Sequence, residues 1–480
     1  MSHAHVEGMK DMRIGAFWRF VRSEPLSFWA ACAYLVVEYV RPQMIYPVID
    51  VLPWGRTTIL LALVAMLLEG KLPKLRTSAG AALLLFAAIV LASSVFAFRP
   101  DVAIGALDLF LVWVLVFLII TNVVTTEGRF LVFVLLFLLA SFKLSQHGAR
   151  TWAATGFAWR GWGVTGPLGW FNNPGELGIQ LCIFLPMSVA FMWGLKHRWS
   201  WWKVAFFGLM PLTALISIVG TNSRGAQLGV LAVLAWWLAF VVRRFRTLVV
   251  VAVVVVAGVA LMPEEQLQRF DTAGEDRTSE NRLERWEEGI EKMNTYPVLG
   301  IGYGNWGVYR VQTGVGGPGL SHNIFVEAGS ELGYSGLFAF ILLIGVTFSL
   351  NRKTRRLARS RLVNDRFLHS MAFGLDGALV AFLSTGFFVT VLYYPYFWIN
   401  LALTVSLHLA TRHKHVEQRR AQARSAHEPG AASGLSARQR PSRQPAPLRA
   451  GALTAGGRRA KGTPRPSVAN DRWRKPGEQR

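Results

Sequence analysis

The chain has 480 residues, of which 52% are hydrophobic, 12% aromatic and 16% charged. A soluble domain carries roughly 25% charge, so this composition excludes an ordinary soluble globule and indicates a membrane protein. The formal net charge of +23 is concentrated at the end, because 17 Lys+Arg and 4 Asp+Glu follow residue 411 and leave a surplus of 13 there.

A transmembrane helix needs about 20 mainly apolar residues. Runs such as AALLLFAAIVLASSVFAF and TLVVVAVVVVAGVALM meet that need. Twelve spans are expected, near 25–42, 57–70, 79–98, 104–122, 127–146, 175–195, 203–219, 223–242, 246–262, 322–350, 367–390 and 393–411. The fold class is thus an all-α polytopic membrane protein. Its expected divisions are an arm (1–24), nine helices (25–262), a polar loop (263–321), three helices (322–411) and a tail (412–480). Cytoplasmic loops collect Lys and Arg. With the arm inside, alternation places GKLPKLR, GLKHRWSWWK, VRRFR and NRKTRRLARSRLVNDR inside, and an even span count brings the tail there too. The long loop then lies outside. The Arg-, Gly- and Pro-rich tail cannot bury a core and reads as disordered, either a tether to anionic lipid or a solvated extension. It lacks the interleaved aromatics or folded module of a nucleic-acid binder.

The first apolar run, FWAACAYLVVEYV, leads into YVRPQMIYP rather than a small-residue cleavage site, so it reads as a retained span. Cys32 and Cys182 lie in apolar spans and suggest neither disulfide nor metal. The first outer loop, RPQMIYPVIDVLPWGR, holds Asp50 and Arg56. It is either an interfacial turn or a place for a catalytic Asp. Glu38, Asp108, Lys143 and Asp376 are costly in lipid and should face the bundle interior. A Lys143–Asp376 pair would relieve two of them, although nothing in the sequence brings them together.

The outer loop 147–174 ends in GWFNNPGELG. Asn172, Asn173 and Pro174 mark a turn into the sixth span. Glu176 falls in the first turn of that helix, where the helix dipole favours it. The hinge GTNSRGAQLGV follows, and Arg224 is its one charge. A guanidinium there suits a phosphate oxygen pair, or it snorkels to headgroups.

In the long loop, Asn281 and Glu284 have capping-box spacing. Leu283, Trp286, Ile290 and Met293 form an apolar stripe. Together they predict a helix over about 281–294, ended by Pro297. Arg282 would sit in its first turn beside free N–H groups that favour an anion. Arg285 lies one turn on and can pair with Glu288. Gly300, Gly302, Gly304 and Gly307 have no strand–helix unit around them, so they predict a tight turn rather than a nucleotide loop. His322 stands at the mouth of the next span and is either a base or an interfacial histidine. Gly329, Gly333 and Gly336 follow it on one helical face, which would let another helix approach.

These residues resemble the bacterial O-antigen ligase and O-antigen polymerase superfamily, which includes protein O-oligosaccharyltransferases. The signature is His322–Asn323, nine residues from Ile324 to Leu332, then Gly333-Tyr334-Ser335-Gly336. Arg282…Trp286 followed by Pro297…Gly300…Gly302 is a second mark, Ser223-Arg224-Gly225 a third and Asn173-Pro174 a fourth. The resemblance implies a C-type glycosyltransferase of the bacterial inner membrane, with a periplasmic catalytic loop carrying short helices. Such an enzyme takes a glycan from undecaprenyl diphosphate and passes it to an acceptor hydroxyl, in a ligase that of lipid A-core. It implies His322 as base or acceptor orienter and Arg224 and Arg282 on the diphosphate. Arg285, Asn323, Asn173 and Glu176 are further substrate-binding positions. No metal motif and no cofactor is expected, since cations suffice for a diphosphate leaving group. The expected partners are the lipid-linked glycan, its acceptor and membrane lipid. A polymerase and a protein glycosyltransferase differ only in acceptor. A transporter or flippase is the alternative of another class, and it predicts paired intramembrane charges and pseudo-repeats.

Overall fold

The computed structural model describes residues 3–75, 77–159, 162–240 and 277–427. The ninth expected span, the VRRFR loop, the start of the long loop and the tail beyond 427 lie outside these residues. Every described element is helical. The helices are α1 (His3–Lys10), α2 (Ile14–Ser23), α3 (Leu26–Val40), α4 (Pro42–Ile45), α5 (Trp54–Leu68) and α6 (Ser78–Val95). Then come α7 (Pro100–Val123), α8 (Glu127–Ala154), α9 (Pro174–Leu195), α10 (Trp201–Gly220) and α11 (Arg224–Phe240). The last five are α12 (Arg277–Thr295), α13 (Trp306–Gln312), α14 (Ile324–Ala358), α15 (Arg366–Gly386) and α16 (Pro395–His427). Among the described residues, seven helices are long and apolar enough to cross a membrane: α6, α7, α8, α9 (with the turn to Arg198), α10, α14 and α15. The apolar α5 and α11 are shorter.

Side-chain caps set several helix starts. Thr77 accepts from Gly80 N, Thr126 from Arg129 N, Asn173 from Gly175 N and Asp365 from Leu368 N. Each satisfies a backbone donor that the first helical turn leaves open.

At one end of the bundle α1, α8, α15 and α16 share a buried charge cluster. Lys10 Nζ lies 2.6 Å from Asp365 Oδ2 and also pairs with Glu127. Lys414 Nζ lies 2.8 Å from Glu127 and 2.6 Å from Asp365. Burial alone would raise the Asp365 carboxyl, but Lys10 and Lys414 hold it well below the usual carboxylate range. Two cations and two carboxylates offset one another, which lets charge be buried. Arg198 adds bonds to Asp11 (2.6 Å) and Glu7 from the α9–α10 turn. All these residues come from segments that alternation assigns to one side.

The opposite end is organised by a break in α14. Gly333 has φ 70° and ψ −173°, outside helical values. The break frees carbonyls, and the turn after α12 fills the gap. Ile301 N donates to the Ser330 carbonyl (2.9 Å), Gly302 N to that of Glu331 (3.0 Å), and Tyr334 N to that of Pro297 (2.8 Å). Ser93 Oγ of α6 adds bonds to the carbonyls of Leu299 and Glu331. A Cβ at Gly300 would lie 2.4 Å from the Glu331 carbonyl carbon, so this docking needs glycine. Gly300, Gly302 and Gly304 all have positive φ, as a tight turn requires.

The single glycine face below His322 is therefore corrected. Gly329 does admit α12, since a Cβ there would meet Met293 Sδ at 2.1 Å. Gly333 instead breaks the helix, and Gly336 faces Leu332 of its own helix.

Other expectations change as well. Helix α12 is already formed at Arg277, so Asn281 is not its cap and Arg282 is not at its start. Leu283 and Ile290 are half exposed, at 50% and 49%. The buried face is Glu288, Gly289, Lys292 and Met293, because Glu288 pairs with Arg310 of α13 and Gly289 packs on Val326. Arg285 thus has no pair in Glu288. Asp376 pairs with Arg355 and accepts from Asn351 (2.8 Å), while Lys143 donates to the Val40 carbonyl (3.3 Å). Helix α8 runs on to Ala154 and takes in His147. Helix α15 stops at Gly386 rather than near 390, and α16 continues past 411 to His427.

Candidate active site

His322 immediately precedes the cap of α14. Asn323 Oδ1 accepts from Phe325 N (2.8 Å) and Val326 N (3.3 Å). At 2% exposure, Asn323 holds the helix start through its side-chain oxygen.

The His322 backbone has φ 53°, a left-handed value uncommon outside glycine. Three contacts hold it there. His322 N donates to Thr390 Oγ1 at 2.7 Å. Trp286 Nε1 donates to the Ser321 carbonyl at 3.1 Å, and Arg285 Nη1 to the Leu320 carbonyl at 3.0 Å. Two of these donors are adjacent on α12, so that helix clamps the segment leading into His322.

The same helix sets the charge on the ring. Burial, with the positive fields of Arg282 and Arg285, pushes the imidazole down to about 4. At neutral pH the ring is uncharged and keeps a lone pair. His322, Arg282 and Arg285 thus form one electrostatic group.

Arg224 enters from a different direction. The hinge Thr221–Ser223 turns through Asn222 at φ 57°, and Ser223 Oγ accepts from Ala226 N at 3.4 Å. Arg224 is the first residue of α11. Asn173 caps α9 beside it, and Gly175 lies close enough that its Cβ would sit 3.9 Å from Ser223 Oγ. Glu176 accepts from Tyr394 Oη at 3.1 Å.

The segment 387–394 between α15 and α16 joins these pieces. Phe387 packs edge-on to Trp286 of α12, with centroids 5.0 Å apart. Phe388 and Val389 fill the space above Gly225 and Gly175. Thr390 holds His322, Leu392 N donates to Glu327 (3.1 Å), and Tyr394 reaches Glu176. The helix starts carrying Arg224 and Glu176, the Trp286 face of α12 and the His322 turn all meet this one stretch. Sequence reasoning passed it over as linker and span end. Its signal was FFVTVLYYP: β-branched and aromatic residues closed by a proline, which disfavours helix just before it.

Thr390 is a positioning residue. Thr390→Val keeps the shape and leaves the His322 N–H without its acceptor. An unpaired donor costs about 1–3 kcal/mol when fully buried, and this one is partly buried. If the His322 turn supports turnover, kcat should drop about tenfold or more with KM little changed, and Thr390→Ser should restore it. Steady-state kinetics of both variants checks this.

Among the described residues, no group of three or more His, Cys, Asp or Glu could hold a metal ion.

Among the described residues every element is helical and seven helices are long and apolar enough to cross a membrane, which is consistent with a polytopic membrane protein. Residues 209–341 match the family model described as O-antigen ligase, which supports a likeness of that stretch to the O-antigen ligase superfamily. The matched stretch takes in Arg224, Arg282, Arg285, His322 and Asn323. Asn173, Glu176 and the segment 387–394 lie outside it. A search of curated proteins gave no match.

Proposed function

We propose that this protein is a glycosyltransferase that moves a glycan from undecaprenyl diphosphate to an acceptor hydroxyl, with lipid A-core as the acceptor. The observation that carries this reading is the grouping of an uncharged His322 with Arg282 and Arg285. The acceptor oxygen attacks the anomeric carbon, its proton passes to His322, and the bond from that carbon to the diphosphate oxygen breaks. The released diphosphate keeps the bonding electron pair, and arginines stabilise the charge developing there. His322 later returns its proton to solvent. In the free protein a group with pKa about 4 is a weak base. A diphosphate bound at Arg282 and Arg285 would cancel their field and strengthen it, so the donor itself would activate the base. Arg224, at a helix start, supplies a further guanidinium for the same leaving group. This end of the bundle faces the periplasm, and the Lys10–Asp365 end faces the cytoplasm.

The acceptor is what separates a ligase from a polymerase or a protein glycosyltransferase. Purified protein is incubated with polyprenyl-diphosphate glycan and three acceptors: lipid A-core, a second lipid-linked glycan, and a hydroxyl-bearing protein. Glycan appearing on lipid A-core supports the proposal. Transfer only to one of the other two corrects the acceptor. Release to none, with donor crossing a vesicle bilayer, points to a flippase and overturns it.

A further inference from the structure

A cavity of about 450 Å³ opens between α3, the 41–56 segment, α7 and Trp170. Pockets that hold small ligands measure roughly 300–1,000 Å³. We infer that this cavity binds a hydroxyl-rich saccharide.

Its lining includes four aromatic residues: Trp54 and Trp170, whose rings are partly exposed, and Tyr34 and Trp113, which are buried. Flat apolar ring faces suit the C–H faces of a sugar ring. Between them stand the carboxylates of Glu38, Asp50 and Asp108 and the guanidiniums of Arg41 and Arg56. Carboxylates accept from hydroxyls and guanidiniums donate to them. Three carboxylates against two guanidiniums leave no surplus of positive charge, and Arg56 already pairs with Asp108. That balance disfavours a diphosphate and leaves a neutral polyhydroxyl ligand as the better fit.

Two polar atoms of the wall residues lack a protein partner and would gain one if their side chains turned to a ligand. Tyr34 is 1% exposed, and its hydroxyl has no hydrogen-bond partner within the protein. Arg41 Nη1 is likewise buried without one. Buried polar atoms are nearly always paired, and both residues line the cavity.

The cavity backs onto the His322 region. Trp170 packs edge-on to Tyr394 with centroids 4.8 Å apart, and Trp113 Nε1 donates to the Tyr393 carbonyl at 2.8 Å. These tyrosines follow Thr390 by three and four residues. A glycan held here would end beside the segment that fixes His322. That the saccharide is a substrate glycan rests on the transferase reading; that one binds does not.

The test uses the full chain in nanodiscs and calorimetric titration. The probe is the oligosaccharide released by mild acid from the native host's polyprenyl-linked glycan, with inorganic pyrophosphate as the anionic control. Wild type should bind the oligosaccharide. Tyr34→Phe and Asp50→Asn should each weaken it about three- to tenfold, the loss of a hydrogen bond or two. Thermal stability of Tyr34→Phe should not fall, because its hydroxyl bonds nothing in the protein. Pyrophosphate binding should be indifferent to both changes. No oligosaccharide binding by wild type, or equal binding by both variants, overturns the inference. Pocket-dependent binding without any transfer would leave the site standing and remove the transferase reading. Transfer without pocket-dependent binding would do the reverse.

Discussion

His322→Ala is expected to lower transfer by about two to four orders of magnitude, the usual contribution of a general base, while the protein stays inserted and folded. His147→Ala should retain most activity, because His147 lies within α8, where the next residue packs on Ser217 of α10. The pH profile gives a sharper check. His322 acts as a base only when neutral, so activity is present above its pKa and lost as pH falls through it. In the free protein burial, Arg282 and Arg285 hold that value near 4, so the acid limb of kcat/KM should fall near pH 4. The kcat profile reports the donor complex. Bound diphosphate would offset the arginine field there, and the kcat limb should lie at higher pH. Arg285→Gln removes one of the two repelling charges, so its kcat/KM limb should move upward. Identical limbs in all three profiles, or an active His322→Ala, would remove His322 as the base.

How much of this was legible beforehand depends on range along the chain. Caps and hinges act within a few residues, so the Asn173–Pro174 start of α9 and the turn before Arg224 could be read from local chemistry. The positive-φ glycines after α12 were legible for the same reason. The stripe on α12 was misread because its register depends on distant partners. Glu288 turns inward to meet Arg310, and that ion pair moves Leu283 and Ile290 outward. Gly333 followed His322 at helical spacing, yet its break is stabilised by backbone from Ile301 and Gly302. Asp376 lies with Arg355 rather than Lys143 because α14 and α15 pack together. The segment 387–394 was hidden most completely. Its contacts with Glu176, Trp286, His322 and Glu327 all reach elements far away in sequence, and no local pattern encodes Thr390 beneath His322.

Arg224→Ala and Arg282→Ala should each cost about one to two decades in rate. A hydrogen bond to a charged group contributes roughly 1.5–3 kcal/mol, and each 1.36 kcal/mol of barrier is tenfold. Arg282 gains nothing from a helix terminus, since α12 is already formed at Arg277. Its hold on a diphosphate rests on its own guanidinium beside Arg285, so Arg→Lys there should recover only part of the loss, a point charge replacing a fork. Arg224 stands at the first turn of α11, where backbone N–H groups add to the anion site. Arg224→Lys should therefore recover more than Arg282→Lys. The two helices carrying these arginines both abut residues 387–390: α12 through Trp286 and Phe387, α11 through Gly225 and Phe388. If one diphosphate lies between them, removing either arginine weakens what the other can do. The double variant should then lose less than the sum of the single losses in free energy. The measurement is transfer from polyprenyl-diphosphate donor by single and double variants at matched expression. Full activity in either alanine variant removes that arginine from the site, and strictly additive losses would mean that the two serve separate charges.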